Sequence, residues 1–464
     1  MGEGESFMAA TPAGAHAHWS SRFAFIMAAV GSAVGLGNLW RFPFQTGANG
    51  GSAFVLVYIA CVALIAFPVL MAEFTIGRRG QKSAVTSTRE LAIQSKKSGK
   101  WSFVGWVCMA GGFLVLTTYS VIAGQVMAMS AAGFMGGFAT DAGANMFYGG
   151  STAGWMWQAL FMALTCWIVS RGLKGGIERV VTVLMPLFFV MLAALTVFAV
   201  FRGFSDGSTA QAFTYLFTPD FSVISGETLI SALGQAFFSV GVASAIMITY
   251  GSYLTKDTNI GESAVLISGA DTAVALIAGF MIFPIVFSAG VDPAAGMSLI
   301  FDTLPALFGS MPMGNMIGGA FFFLAFIAAL TSSISLLEAT VAFFDEHSNF
   351  GRPQIAWMLG SIAFMIGAGS VYSTEFGGNF LDLLSSNILL PFGGFLVALF
   401  TGWVLPKTLL REELSHASDR MFGFFHFMIR WVIPVVVGLV LALGLDDRFS
   451  GLTGGHLNRL LGLG

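Results

Sequence analysis

The sequence predicts an all-α integral membrane protein of about eleven transmembrane helices, and three observations predict it. Only 10% of the 464 residues are charged while 56% are hydrophobic. Soluble domains run near 25% charged, so most of this chain's solvent must be lipid. Apolar stretches of the ~20 residues that cross a bilayer recur along the chain. Lys and Arg are segregated into alternate connecting loops, as the positive-inside rule requires.

The spans fall at roughly 23–47, 52–77, 103–135, 153–170, 177–201, 228–254, 263–288, 313–344, 354–371, 380–405 and 422–445. Residues 1–22 read as an amino-terminal segment with no basic start, and no small-residue cleavage site follows the first apolar run. That run is therefore expected to be a retained span and not a signal peptide. The tail 446–464 is too short and polar for a twelfth span. The loop between spans two and three holds Arg78, Arg79, Lys82, Arg89, Lys96, Lys97 and Lys100, and is expected to be a helix-turn connector. The loop after span four adds Arg171, Lys174 and Arg179, and that after span ten adds Lys407, Arg411 and Arg420. The opposite loops, 136–152 and 291–312, carry no Lys or Arg. This asymmetry predicts a multi-pass protein of a bacterial inner (plasma) membrane with a cytoplasmic amino terminus and, after eleven spans, an external carboxyl terminus. A net charge of −3 argues against a nucleic-acid partner. Cys61, Cys108 and Cys166 sit in apolar runs and suggest neither disulfides nor a metal cluster.

Three spans carry features that oppose a plain lipid-embedded helix. Span one (FAFIMAAVGSAVGLGNLWRFPFQTGANGG) places Gly31, Gly35, Gly37, Asn38, Arg41 and Pro43 in one run. Glycines also let helices pack closely, but intramembrane polar and ionisable residues usually face a cavity. Span six interrupts its apolar run with Gln235, Ser239, Gly241 and Ser244. Spans one to five (about 23–201) and six to ten (about 228–405) then read as two five-helix repeats, with 422–445 as an extra helix. Breaks at matching places in two repeats point to a midplane binding site, with half-helix N-termini for an anion and carbonyl oxygens for a cation. Span eight supplies Thr331, Ser332 and Ser333, hydroxyls that either bond back to their own helix or turn toward span one as oxygen ligands.

GSAVGLGNLWRFP, GQAFFSVG…ITYGSYL and ALTSS together resemble the neurotransmitter:sodium symporter family, whose bacterial members define the LeuT fold, and the resemblance runs from His18-Trp19 to span eleven. It implies inverted repeats with broken helices 1 and 6, and two sodium ions. One ion would be held by main-chain oxygens of Gly31 and Val34 with Ala328, Thr331 and Ser332. The other would be held by Ala33, Asn38, Ser239 and Asp271 with the substrate carboxylate. Asp271 stands where many relatives have Asn, and Ala275, one turn on, cannot help hold a halide; a fixed carboxylate therefore implies chloride-independent transport. Proton counter-transport stays open. The substrate carboxylate would meet the N–H groups of Leu36 and Gly37 and the hydroxyl of Tyr119. Gly35 leaves room for it, which implies an amino acid. Ser32, Ala33, Val115, Phe238, Ser239, Gly241, Ser244, Ser332 and Leu336 complete an uncharged pocket suited to a neutral cargo.

The same resemblance implies an outer gate of Arg41 and Asp382 over the Phe238 lid, with the ion pair forming when the outer vestibule closes. It implies an inner gate of Trp19 and Tyr253, with His16 opposite Glu346. Gly176 and Pro186 would bracket a start of span five that can unwind. The expected protein is a symporter that imports a neutral amino acid by alternating access. The alternatives are an osmolyte or non-α-amino-acid cargo, or a sensor that kept the fold. No H-E-x-x-H or phosphate-loop motif suggests an enzyme, and nothing in the sequence specifies an oligomeric state.

Overall fold

The computed structural model describes residues 17–139, 151–218, 220–293, 299–372 and 380–448. His16 and the tail after Arg448 lie outside them. Among the described residues, eight helices are long and apolar enough to cross a membrane, and a ninth span is a bent pair, Arg22–Ala33 and Gly37–Ala48, with 46° between its halves. The remaining two expected spans are also helical. Span six is split into Gly226–Val240 and Ile246–Ser252, and span nine is Arg352–Tyr372. The basic 78–100 loop contains the helix Ala84–Gln94. Two further helices, Ser208–Phe217 and the apolar Leu299–Ser310, occupy stretches expected to be loop.

Proline positions explain much of the local winding. Six of the seven wide π turns among the described residues end two residues before a proline: Pro43, Pro68, Pro305, Pro391, Pro406 and Pro434. A proline ring has no N–H and crowds the carbonyl one turn back. Widening that turn relieves the crowding without breaking the helix.

Span eight, Gly314–His347, is the axis of the bundle. In its most apolar stretch 83% of residues are buried, against 22% for span five (Leu173–Phe204) and 28% for span eleven (Asp419–Leu445), which turn their apolar faces outward. Spans one and six lie against this axis, and their breaks meet near its middle.

Each break has a local cause. In span one the helix stops at Ala33 and Val34 is extended (φ −73°, ψ 104°), after which Gly37–Arg41 resumes as a π turn. In span six Gly241, Ala243 and Ala245 all have positive φ, at 71°, 65° and 66°. Alanine in that region costs about 1–3 kcal/mol and persists only where its surroundings hold it. Glu73 of span two (Ser52–Gly80) is what holds it: its buried Oε1 accepts the Ala243 N–H at 2.6 Å.

Candidate transport site

Four buried side chains meet between the two breaks. Asn38 Nδ2 donates to Asp271 Oδ1 at 2.7 Å and to Ser239 Oγ at 3.0 Å, and Ser239 Oγ donates to Asp271 Oδ1 at 3.0 Å. Tyr58, from span two, reaches Asp271 Oδ2 at 3.3 Å. Asp271 is fully buried, and its carboxyl accepts only from the neutral Asn38, Ser239 and Tyr58 among the described residues. Burying an unpaired carboxylate is costly, so this donor set fits a small hard cation whose ligands are oxygens. Asn38 Oδ1 meanwhile accepts the Gly35 N–H at 3.0 Å and so ties the cluster to the span-one break.

Of the second expected cation set, one hydroxyl reaches span one. Ser332 Oγ of span eight reaches Gly31 O at 3.4 Å and Ser32 O at 3.2 Å. Gly31 is pressed against the same helix: a Cβ there would lie 3.2 Å from Thr331 Cβ and 2.9 Å from Met185 Sδ. Thr331 bonds back to Ile327 and Ala328, and Ser333 to Leu330 with a further contact to Thr165, so of the three hydroxyls only Ser332 crosses to span one.

Between the two clusters lies a pocket lined by Ser32, Ala33, Gly35, Leu36, Gly37, Val115, Tyr119, Phe237, Phe238, Gly241, Val242, Ser244, Ile246, Ser332, Leu336 and Leu390. Every residue expected to contact the substrate lines it except Ser239, which sits behind the wall in the Asp271 cluster. No lining residue is charged. Leu36 N–H donates to the Tyr119 hydroxyl at 3.4 Å. At Gly35 a Cβ would approach Ser332 Oγ to 2.8 Å and Tyr119 OH to 3.1 Å, so only glycine leaves that corner open.

The two gates differ in state. Arg41 and Asp382 make no ion pair among the described residues. The Arg41 guanidinium lies 4.5 Å over the Phe238 ring, and Asp382 accepts the Ser386 hydroxyl of its own helix at 2.8 Å. Phe238 thus stands between Arg41 and the pocket while the outer pair is open. At the other end, Trp19 seals the bundle: its Nε1 donates to Tyr250 O at 3.1 Å, its N–H to Tyr253 O at 3.2 Å, and its ring packs on both tyrosines.

The expected pairing of Glu346 with His16 falls outside the described residues, and within them Glu346 has other partners. It accepts Ser83 N–H at 2.5 Å, Ser83 Oγ at 2.7 Å and Thr86 Oγ1 at 2.9 Å, capping the connector helix. A second carboxylate, Glu338, stands beside Tyr253: it accepts the Tyr253 hydroxyl at 2.7 Å and pairs with Arg352. Glu338 lies eight residues earlier on the same helix, which is about 12 Å deeper in the bundle. Ser20 bonds to Glu178 at the start of span five, and a Cβ on the neighbouring Gly176 would meet Ile168 O at 2.0 Å. The helix is continuous from Arg179 through Pro186.

Tyr58, Glu73, Glu178 and Glu338 escaped the sequence reading. Tyr58 has no sequence signal, whereas the three carboxylates stand within or at the ends of apolar spans, which is itself a pointer.

The model of the sodium:neurotransmitter symporter family matches residues 16–141 and 145–448. The chain belongs to that family. It is a sodium-dependent symporter and not an enzyme. It is 35% identical over 441 residues to the uncharacterized sodium-dependent transporter YhdH of Bacillus subtilis, covering 91% of this chain and 96% of that one. It is 25% identical over 437 residues to the mouse sodium-dependent neutral amino acid transporter B(0)AT3, covering 86% of this chain and 69% of the relative. The crystal structure of MhsT in complex with L-phenylalanine superposes with a TM-score of 0.84 at 38% identity, over 92% of this symporter and 99% of that chain. That match carries the LeuT fold to this symporter.

Proposed function

We propose that this symporter imports a neutral α-amino acid together with two sodium ions and without chloride, through alternating access, with its amino terminus and basic loops in the cytoplasm. The observation that carries the reading is a pocket with no charged wall beside a buried carboxylate hydrogen-bonded by neutral Asn38, Ser239 and Tyr58. The cargo's carboxylate would meet the Leu36–Gly37 N–H groups and Tyr119. Its side chain would lie among Val115, Phe238, Gly241, Ser244 and Leu336. The phenylalanine bound to MhsT and the neutral amino acids named for B(0)AT3 support this cargo class. In the described conformation the outer pair is open and Trp19 closes the inner end, an arrangement suited to loading from outside.

The test is a thermal-stabilisation screen of the twenty amino acids, taurine, betaine and γ-aminobutyrate, each in sodium or in potassium. A ligand that binds only the folded state raises its apparent stability by mass action. Stabilisation by a neutral α-amino acid in sodium alone is expected. Equal stabilisation in potassium overturns the sodium-coupled site, and a response only to taurine or betaine overturns the cargo class. Uptake in gluconate buffer tests chloride independence, and a fall of more than about tenfold, ~1.4 kcal/mol of lost coupling, overturns it.

A further inference from the structure

Span eleven carries a feature that transport does not use. Arg430 sits inside the span, in the π turn Met428–Val432, beside the π turn Phe400–Val404 of span ten. Its guanidinium lies 4.7 Å from the Trp403 ring and 5.6 Å from the Trp431 ring, and the two indoles meet edge to face at 4.8 Å. Gly402 makes the approach possible, because a Cβ there would lie 2.7 Å from Arg430 Cα. The Trp403 indole donates to Arg430 O at 2.8 Å and locks the pair of turns together. Yet Arg430 pairs with no carboxylate among the described residues, and its buried Nε has no hydrogen-bond partner.

The surroundings specify what would complete it. Trp403 is 47% exposed and Trp431 51% exposed, on a surface that faces lipid. Phe427, Trp431, Val435 and Leu439 recur every four residues and are 57%, 51%, 67% and 46% exposed, so one apolar stripe runs from the guanidinium along the span. Trp403 stands near the end of span ten, four residues before Lys407, whose ammonium lies 5.9 Å from the Phe422 ring. Lys407 and Arg430 both lie close enough to His426 to act on it electrostatically. Arg411, by contrast, is already paired with Asp419. This is the end of the bundle that carries the basic loops.

We propose that the face of spans ten and eleven at Arg430, Trp403, Trp431 and Lys407 binds the phosphodiester headgroup of an anionic phospholipid, with an acyl chain lying along the Trp431–Val435–Leu439 stripe. A guanidinium presents a planar fork that matches phosphate oxygens, and interfacial indoles hold it at headgroup depth. The apolar stripe is what selects a lipid over a soluble phosphate. Juxtamembrane cations on this side are drawn to anionic lipid in any case; the indole-flanked guanidinium adds a fixed seat.

The test uses the full-length protein, delipidated in detergent and titrated with phosphatidylglycerol or phosphatidylcholine of the same acyl composition, with bound lipid counted by native mass spectrometry. Phosphatidylglycerol is expected to be retained in preference, and Arg430→Gln to weaken it about fivefold, the factor one juxtamembrane cation contributes. Lys407→Gln should weaken it in the same direction, and Arg430→Lys should fall between wild type and Arg430→Gln. Equal retention of the two lipids overturns the proposal. So does unchanged retention in Arg430→Gln or, should that variant not fold, in both Lys407→Gln and Arg430→Lys. Displacement of the lipid by millimolar inorganic phosphate also overturns it, in favour of a soluble anion. The readout is lipid retention, so its outcome is independent of the cargo assignment.

Discussion

Asp271→Asn preserves shape and removes one charge, and the structure sets the size of the effect. The carboxyl receives Asn38 Nδ2 at 2.7 Å and Ser239 Oγ at 3.0 Å on one oxygen, and Tyr58 at 3.3 Å on the other. An amide oxygen can still accept from Asn38 and Ser239, and its NH2 can donate to the Tyr58 hydroxyl, which also lies 3.3 Å from Ser239 Oγ. When the cation binds, the variant lacks the anionic half of a buried pair, a loss of about 3–5 kcal/mol. At 1.4 kcal/mol per tenfold, the pair alone lowers sodium affinity by about a hundredfold or more. The assay is sodium-dependent uptake of the stabilising amino acid into proteoliposomes with gluconate as the sole anion. Adding Ala275→Ser to Asp271→Asn, one turn along the same helix, should let chloride restore part of the loss. Half-saturation of Asp271→Asn at the wild-type sodium concentration in gluconate would refute the assignment of Asp271 as the fixed counter-charge.

Three further perturbations separate neighbouring roles. Gly35→Ala drives a methyl to 2.8 Å from Ser332 Oγ and 3.1 Å from Tyr119 OH; overpacking of this kind costs about 1–3 kcal/mol, and cargo affinity measured by isothermal titration should fall at least about tenfold while the protein stays folded. Glu338→Gln removes the anion facing Arg352 and should expose Trp19, read as accelerated hydrogen exchange at residues 19–25, whereas Glu346→Gln weakens only the connector-helix cap, a loss of about 0.5–2 kcal/mol, and leaves that exchange unchanged. Glu73→Gln keeps an oxygen for the Ala243 N–H and should retain uptake; Glu73→Ala orphans that donor beside two strained alanines and should abolish uptake, and equal activity of the two variants would remove Glu73 from the role of clamp.

Composition and order determined a great deal here by themselves. Ten percent charge requires lipid as solvent, and the ~20-residue apolar repeat follows from the bilayer's thickness. Gly31–Pro43 and Gly241–Ser244 marked both breaks because backbone that leaves the helix in lipid must be repaid by something bound there. The pocket wall was legible for the same reason: its residues lie in or beside those breaks, so local sequence carries the signal. What lay beyond sequence were pairings between distant elements. Asp382 accepts Ser386 of its own helix, Glu346 caps a connector, and Glu338, two helical turns deeper, joins Tyr253 to Arg352. Glu73 and Tyr58 act from span two on residues more than 160 positions away. Periodicity says which side of a helix is polar, but only the packed bundle decides which polar group it faces, because a buried donor or acceptor takes whatever partner tertiary structure brings within reach.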